Sequence, residues 1–370
     1  MDDSLVFKIK DSVDLFLSDN KYVMVYYMNT RQRKSFRVND GLINLLENID
    51  GERSLKELKD IMRLYYNVSN EDVETVIAMM LDSRIVTEVN FNNDILTIYD
   101  IDRYTRQINY FSEFLGSEEK GLKAQKKITN THVLVFGCGA VGGDIVLELV
   151  MAGIRKITLY DFDSVNNSDI SRHMYFSKGT VGTKKVDALK QMVKKIDSKV
   201  EVITLDESMR PEDEIEEIIV RADFVVNTMD EPYIGYTSAK ISRICVKYNI
   251  PHFIAGGFDA HLASTGELVI PYVTPCVECY ATHFKEKLKD WKPKKHPVKT
   301  RFTEIGGLAS MSLFSASFAC IEIIKHIAGL VDIEDTFKVR GELLFNDLSL
   351  TYLNVKKNPE CPICGGKNKL

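Results

Sequence analysis

The run Val133-Leu134-Val135-Phe136 passes directly into Gly137-Cys138-Gly139-Ala140-Val141-Gly142, and that junction constrains the fold more than any other stretch of the chain. Four consecutive apolar residues suit a strand buried on both faces, as in a parallel sheet. The glycines that follow allow a tight turn and a close approach of backbone to phosphate, where the N-terminus of a helix favours an anion. The rhythm repeats downstream: 157–160, 202–205 and 224–226 read as strands, and 144–152, 184–196, 211–221 and 238–247 as the helices between them. Such alternation predicts an α/β domain with a doubly wound, mainly parallel, Rossmann-like sheet. Asp161 and Asp163 close the second strand, about 20 residues past the glycines, where a ribose hydroxyl is expected. The glycine motif alone does not separate a nicotinamide cofactor from ATP.

Residues 1 to 95 follow a different pattern. A β-branched and aromatic run at 22–27, a turn at 29–32 and a return strand at 35–38 predict a hairpin. Leu42, Ile43, Leu45 and Leu46 then show helical spacing. Ser54 with Glu57 forms a capping box that opens a helix carrying Leu58, Ile61 and Met62. A third helix follows Ser69-Asn70, and 84–86 reads as a closing strand. These elements make a small winged-helix-like α+β domain. Residues 96 to 128 form a partly helical connector, and 129 to 370 the main α/β domain.

Charge excludes one class of partner. The 370 residues hold 48 Lys and Arg against 53 Asp and Glu, a net charge of -5, whereas general nucleic-acid binding rests on clustered cations. Glu71, Asp72 and Glu74 in the third helix argue likewise against DNA. No basic segment followed by an apolar one opens the chain, so a cytoplasmic location is expected. The longest apolar candidate, 308–330, is interrupted by Ser310, Ser312, Ser315, Ser317, Glu322 and Lys325, and reads as a buried helix with no membrane partner.

Four of the seven cysteines stand in two CxxC pairs, Cys276-Val277-Glu278-Cys279 and Cys361-Pro362-Ile363-Cys364. Four thiolates in two pairs make a closed tetrahedral zinc site, structural because no position is left for water. Cys138, Cys245 and Cys320 lie within apolar elements and read as buried small hydrophobes.

An ordered set of short motifs surrounds the glycine loop. Arg103-Tyr104-Thr105-Arg106-Gln107-Ile108 precedes it; Asp161-Phe162-Asp163, Asp169-Ile170-Ser171-Arg172-His173, Thr183-Lys184-Lys185 and Asn227-Thr228-Met229-Asp230 follow. Cationic side chains offered to a glycine-rich loop suit a triphosphate, and an aspartate at a strand end suits magnesium. In these residues, from about 103 to the C-terminus, the chain resembles the ubiquitin-activating-enzyme-like superfamily, which includes the ThiF, MoeB and HesA adenylating enzymes. The resemblance implies that Gly137, Gly139 and Gly142 line ATP, that Asp161 binds its ribose with Asp163 beside it, and that Arg172 and Lys184 contact the triphosphate. It implies further that Asp230 binds Mg²⁺, and that Arg106 reaches the ATP site of a neighbouring subunit, which requires a homodimer. Asp169 and His173 depart from the family's usual Asn and Gln, which puts an extra negative charge near the phosphates. In similar enzymes the stretch matching 289–305 crosses near the active site, making Lys299, Arg301 and Thr303 candidate substrate contacts.

The N-terminal domain resembles the PqqD-related clamps that hold a leader peptide. Together the two parts resemble the microcin C and pantocin types of peptide-modifying enzyme. That resemblance implies ATP-dependent adenylation of a carboxylate in a ribosomally made precursor peptide, giving an acyl-adenylate and pyrophosphate. Two alternatives keep the resemblance: adenylation of a sulfur carrier ending in Gly-Gly, and a non-catalytic subunit that docks a leader peptide. A nicotinamide-dependent dehydrogenase has only the glycine motif in its favour.

Overall fold

The computed structural model describes all residues except 20, 90–94, 232, 260–261, 288, 290–305, 331–339 and 366–370. The chain divides into two compact units, Met1–Lys126 and Lys127–Leu370.

The first unit runs β1 (Val6–Ile9), β2 (Val13–Leu17), β3 (Tyr22–Tyr27), β4 (Gln32–Arg37), α1 (Asp40–Asn48), β5 (Asp50–Ser54), α2 (Leu55–Tyr66), α3 (Asn70–Asp82), β6 (Val86–Glu88) and α4 (Ile98–Leu115). Helix α5 (Glu118–Asn130) carries the chain across the boundary. The expected hairpin is β3 with β4, but β2 pairs with β3 as well, so the sheet has three antiparallel strands in the order β2-β3-β4. In a second three-stranded sheet, β5-β1-β6, the expected closing strand is β6, but β1 and β5 were not legible; β5 (Asp-Gly-Glu-Arg-Ser) has no apolar alternation. The Ser54–Glu57 capping box forms as spaced: the Ser54 amide donates to Glu57 Oε2 at 2.8 Å, and the Glu57 amide to Ser54 Oγ at 3.3 Å. Phe7, Val25, Leu45, Leu55, Leu58 and Ile77 meet in one core; truncating one such side chain to alanine costs about 2–5 kcal/mol. The connector segment is two helices.

The second unit opens with β7 (His132–Phe136), α6 (Ala140–Ala152), β8 (Lys156–Tyr160), α7 (Lys185–Ile196), β9 (Glu201–Leu205), α8 (Glu216–Ile219), β10 (Phe224–Asn227), α9 (Ile234–Lys247) and β11 (His252–Ile254). It continues with β12 (Phe258–Asp259), β13 (Leu262–Ser264), β14 (Glu267–Val269), α10 (Val277–Lys287), α11 (Ala309–Ala328), β15 (Arg340–Leu344) and β16 (Leu350–Leu353). Six strands form a sheet in the order β14-β11-β10-β7-β8-β9, parallel except for β14. Every residue of β7 is buried, as its unbroken apolar run requires. The chain leaves β7 toward β8 on one side and returns as β10 on the other, so the crevice beyond the carboxyl end of β7 is the switch point where such sheets bind ligands. A smaller antiparallel sheet, β12-β13-β15-β16, accompanies it.

The helical expectations shift at their ends, and α6 and α9 each begin four residues earlier than the spacing indicates. Only the four residues of α8 are helical within 211–221, since Pro211 opens the stretch and Asp213 turns back to accept the Arg210 amide at 2.6 Å. Helix α7 starts at Lys185, with Lys184 as its N-cap. Helix α11 has the length and apolar character of a membrane span, with mean hydropathy 1.3. It packs instead on α6, burying Met311, Ser315, Ala316, Ala319, Cys320 and Ile323.

Candidate active site

The glycine loop takes the conformation its composition allows. Gly137 has φ +90°, a region closed to most side chains, and its amide donates to the Tyr160 carbonyl at 2.9 Å. A Cβ on Gly137 would stand 2.4 Å from Thr228 Oγ1, and one on Gly142 would stand 2.0 Å from the Gly137 carbonyl oxygen. Thr228 locks the loop to β10, with its amide and hydroxyl donating to the Phe136 carbonyl at 2.8 and 3.0 Å. Gly139 differs: a Cβ there would meet nothing within 4 Å. It is the N-cap of α6 and makes no side-chain cap, so the first N–H groups of that helix are open to an anion.

Acidic residues gather beneath and beside the loop. Asp161, buried, accepts the Cys138 amide at 2.6 Å and the Asp163 amide at 2.8 Å; burial raises its pKa, against the pull of Lys185 and these amides. Lys185 Nζ reaches Asp163 Oδ2 at 2.7 Å with its side chain only 12% exposed. Burial works against that ammonium, but the Asp163 hydrogen bond and the charges of Asp161, Asp163 and Asp169 prevail and raise its pKa. Lys184 is placed otherwise. Its Nζ donates to the Phe162 carbonyl at 2.8 Å and pairs with Asp206 at 2.9 Å, with 40% of the side chain exposed. Sequence reasoning took the first lysine of the tandem. The structure points to the second as the cation set among the site's carboxylates, because starting α7 at Lys185 turns that side chain inward.

Asp169 has a definite structural place. Its Oδ2 accepts the Asn166 amide at 2.9 Å and its Oδ1 the Arg172 Nη2 at 3.3 Å. His173 Nε2 lies 3.7 Å from the same Oδ1. Burial lowers the His173 pKa to about 4, helped by Lys185 and Arg172 and opposed by Asp169, so the ring is neutral at physiological pH. Arg172 Nε and His173 Nδ1 are buried without hydrogen-bond partners among the described residues. Asp230 is exposed beyond the end of β10; the N-cap of α9 is Tyr233, so Asp230 does not cap that helix. Gly137, Gly139, Gly142, Asp161, Asp163, Arg172, Lys184 and Asp230 thus all lie at or beyond the carboxyl ends of β7, β8 and β10.

Residues that sequence reasoning passed over also stand here. Asp144, on the second turn of α6, is 2% exposed and neither carboxylate oxygen has a hydrogen-bond partner among the described residues. Burial pushes its pKa up to about 7, with Glu148 adding to the rise; the Met174 amide pulls the other way from outside hydrogen-bond geometry. Two carboxylates, Asp144 and Glu148, inside an otherwise apolar helix were the available signal.

Arg106 belongs to the first unit. It is exposed on α4 and has no ion pair among the described residues. It lines a cavity of about 360 Å³ together with Lys8, Lys10, Asp11, Ser12 and Glu113. Lys299, Arg301 and Thr303 lie outside the described residues.

The four cysteines come together from α10 and the C-terminal segment. Cys276 and Cys361 sulfurs are 3.6 Å apart, Cys279 and Cys364 3.5 Å, and Cys276 and Cys279 4.0 Å. A tetrahedron with metal–sulfur bonds of about 2.3 Å has edges of about 3.8 Å, so the set fits one such ion. The Asn358 amide points to Cys279 Sγ at 3.5 Å, and Gly365 is required by the turn, since a Cβ would stand 2.4 Å from the Cys361 nitrogen.

The comparisons with known proteins agree with this geometry. A profile of the ThiF family matches residues 104–363. Protein HesA of Leptolyngbya boryana is 26% identical over 275 residues, 73% of this chain and 87% of that protein. The sulfur carrier protein ThiS adenylyltransferase of Escherichia coli (strain K12) is 25% identical over 274 residues, 73% of this chain and 97% of that one. Among solved structures, Escherichia coli MccB with ATP superposes with a TM-score of 0.70 at 19% identity, over 97% of this chain and 99% of that chain. The microcin C7 biosynthetic enzyme MccB in complex with N-formylated MccA gives the same values. These findings set the dehydrogenase reading aside: the chain belongs to the ThiF family, and it is an ATP-dependent adenylyltransferase.

Proposed function

We propose that the chain adenylates a carboxylate of a ribosomally made precursor peptide, in the maturation of a peptide natural product. The observation that carries this reading is the reach of the structural likeness. Curated relatives align with 66–87% of this chain, whereas the match to MccB takes in 97%, the N-terminal unit included. Within that unit, β2 and β4 are the edges of their sheet, and β2 exposes Phe16 and Leu17. Such an edge accepts a leader peptide as an added strand, with main-chain hydrogen bonds for affinity and side-chain contacts for specificity.

In this reading the open N–H groups at Gly139 and the start of α6 hold the phosphates, Asp161 and Asp163 flank the ribose, and Arg172 and Lys185 face the triphosphate. Asp230 holds Mg²⁺, which neutralises phosphate charge. A peptide carboxylate oxygen attacks the α-phosphorus, the bond to the bridging oxygen breaks, and pyrophosphate leaves with the electron pair; no proton moves. The protein supplies alignment and fixed positive charge where negative charge develops. The four cysteines hold a structural zinc ion. The active form is a homodimer, a reading supported by Arg106, which is exposed and has no ion pair among the described residues.

The test is ATP–pyrophosphate exchange on the full-length protein, with short peptides encoded beside its gene and with a Gly-Gly-terminated sulfur carrier. Exchange with a peptide and none with the carrier is expected; the reverse would transfer the chain to the carrier-activating class. Asp230→Ala should abolish exchange while leaving the thermal midpoint in place, and undiminished exchange would remove Asp230 from the metal site.

A further inference from the structure

Cys138 is held at both of its peptide groups. Its amide donates to Asp161 Oδ2, and its carbonyl accepts the hydroxyl of Tyr175. Tyr175 is 5% exposed, and its ring fills the space beside Gly143: a Cβ on that glycine would stand 2.1 Å from Tyr175 Cε1 and 2.8 Å from Cδ1. The His173 ring stacks on it, centroids 5.8 Å apart and 17° from parallel. Burial, then the neighbouring acidic groups, pushes the phenol's pKa well above its usual range, so it remains a donor.

The consequence lies on the far side of the peptide plane. In a trans peptide the C=O and N–H point in opposite directions. With the Cys138 carbonyl tied down to Tyr175, the Gly139 N–H is aimed away from the protein interior. Gly139 borders open space, and no side chain caps the helix it begins. We propose that Tyr175 is a positioning residue for adenylation: it fixes the Cys138–Gly139 peptide so that the Gly139 N–H meets a phosphate of ATP, and Gly143 is small in order to admit its ring. This rests on the phosphate-loop reading above.

Tyr175→Phe keeps the ring and removes only the donor. Binding of ATP and of adenosine to the full-length protein, by calorimetry, separates a loop effect from a general loosening. ATP affinity should fall roughly tenfold, the scale of one lost hydrogen bond, with adenosine affinity held within about twofold. Gly143→Ala must displace the ring and should weaken ATP selectively in the same way, raising KM for ATP more than it lowers kcat. ATP affinity unchanged in Tyr175→Phe would overturn the proposal, as would an equal loss for ATP and adenosine. A parent protein that binds adenosine but gains nothing from the phosphates would remove the loop reading beneath it.

Discussion

The four-cysteine knuckle and the carboxyl edge of the parallel sheet belong to one unit, yet they treat their polar groups oppositely. In the knuckle each sulfur faces the others within 4.8 Å and all four residues are buried. At the sheet edge Arg172 Nε, His173 Nδ1 and both Asp144 oxygens are buried with no hydrogen-bond partner among the described residues, and no side chain among them caps the start of α6. A buried polar group left unpaired costs on the order of 1–3 kcal/mol. A closed donor set is completed by one small ion and returns stability. The open edge has no such closed set, and its buried unpaired groups carry that cost in the structure as it stands.

That contrast is sharpest where the ion is withdrawn. Chelation, or Cys361→Ser, should lower the thermal midpoint by more than about 10 °C and remove one equivalent of zinc, since structural zinc contributes on the order of 10 kcal/mol. A thermal scan paired with metal analysis checks it; an unshifted midpoint would make the knuckle dispensable. At the sheet edge the same removal of one cation should act on rate rather than stability. Lys185→Ala should reduce kcat/KM for ATP by about 10²–10³-fold with the fold retained. A loss confined to stability would break the distinction between the two regions.

Asp144 offers a subtler test. Its native pKa of about 7 lies above its ordinary 3.8, so between these values the folded protein keeps a proton that the unfolded chain has released. Stability from this group therefore falls as pH rises through that window. Asp144→Asn should relieve the fall, gaining on the order of 2 kcal/mol over the parent at pH 8 and little at pH 4, read as diverging thermal midpoints. Parallel midpoint curves would show that the carboxylate is satisfied after all. The smallest effect belongs to Lys184→Ala, whose half-exposed ion pair with Asp206 should matter by no more than about threefold in kcat/KM. An effect as large as that of Lys185→Ala would return Lys184 to the phosphates.

Much of this was legible because it depends on near neighbours in sequence. The apolar run of β7, the turn that only glycine permits at Gly137, the Ser54–Glu57 cap and the two CxxC pairs each express a local rule of backbone or ligand geometry. Strands β1, β2 and β5 escaped because each is only four or five residues long, too short for a clear alternation, and β1 takes its stability from partners far along the chain. Which lysine of the tandem turns toward Asp163 lay beyond local reading for a related reason. Lys184 and Lys185 are adjacent and chemically identical, and one residue of helix phase decides which enters the site.

By itself the sequence determined the alternation that forces a parallel sheet, the position of the phosphate loop, the metal-type cysteine set and the family motifs. Tertiary structure alone decided that Lys185 faces the carboxylates, that Asp169 turns inward to hold Arg172, and that Tyr175 reaches the Cys138 carbonyl across 37 positions of chain. The physical reason is that side-chain direction, burial and the pairing of polar groups depend on what packs opposite, and no spacing along one strand or helix records it.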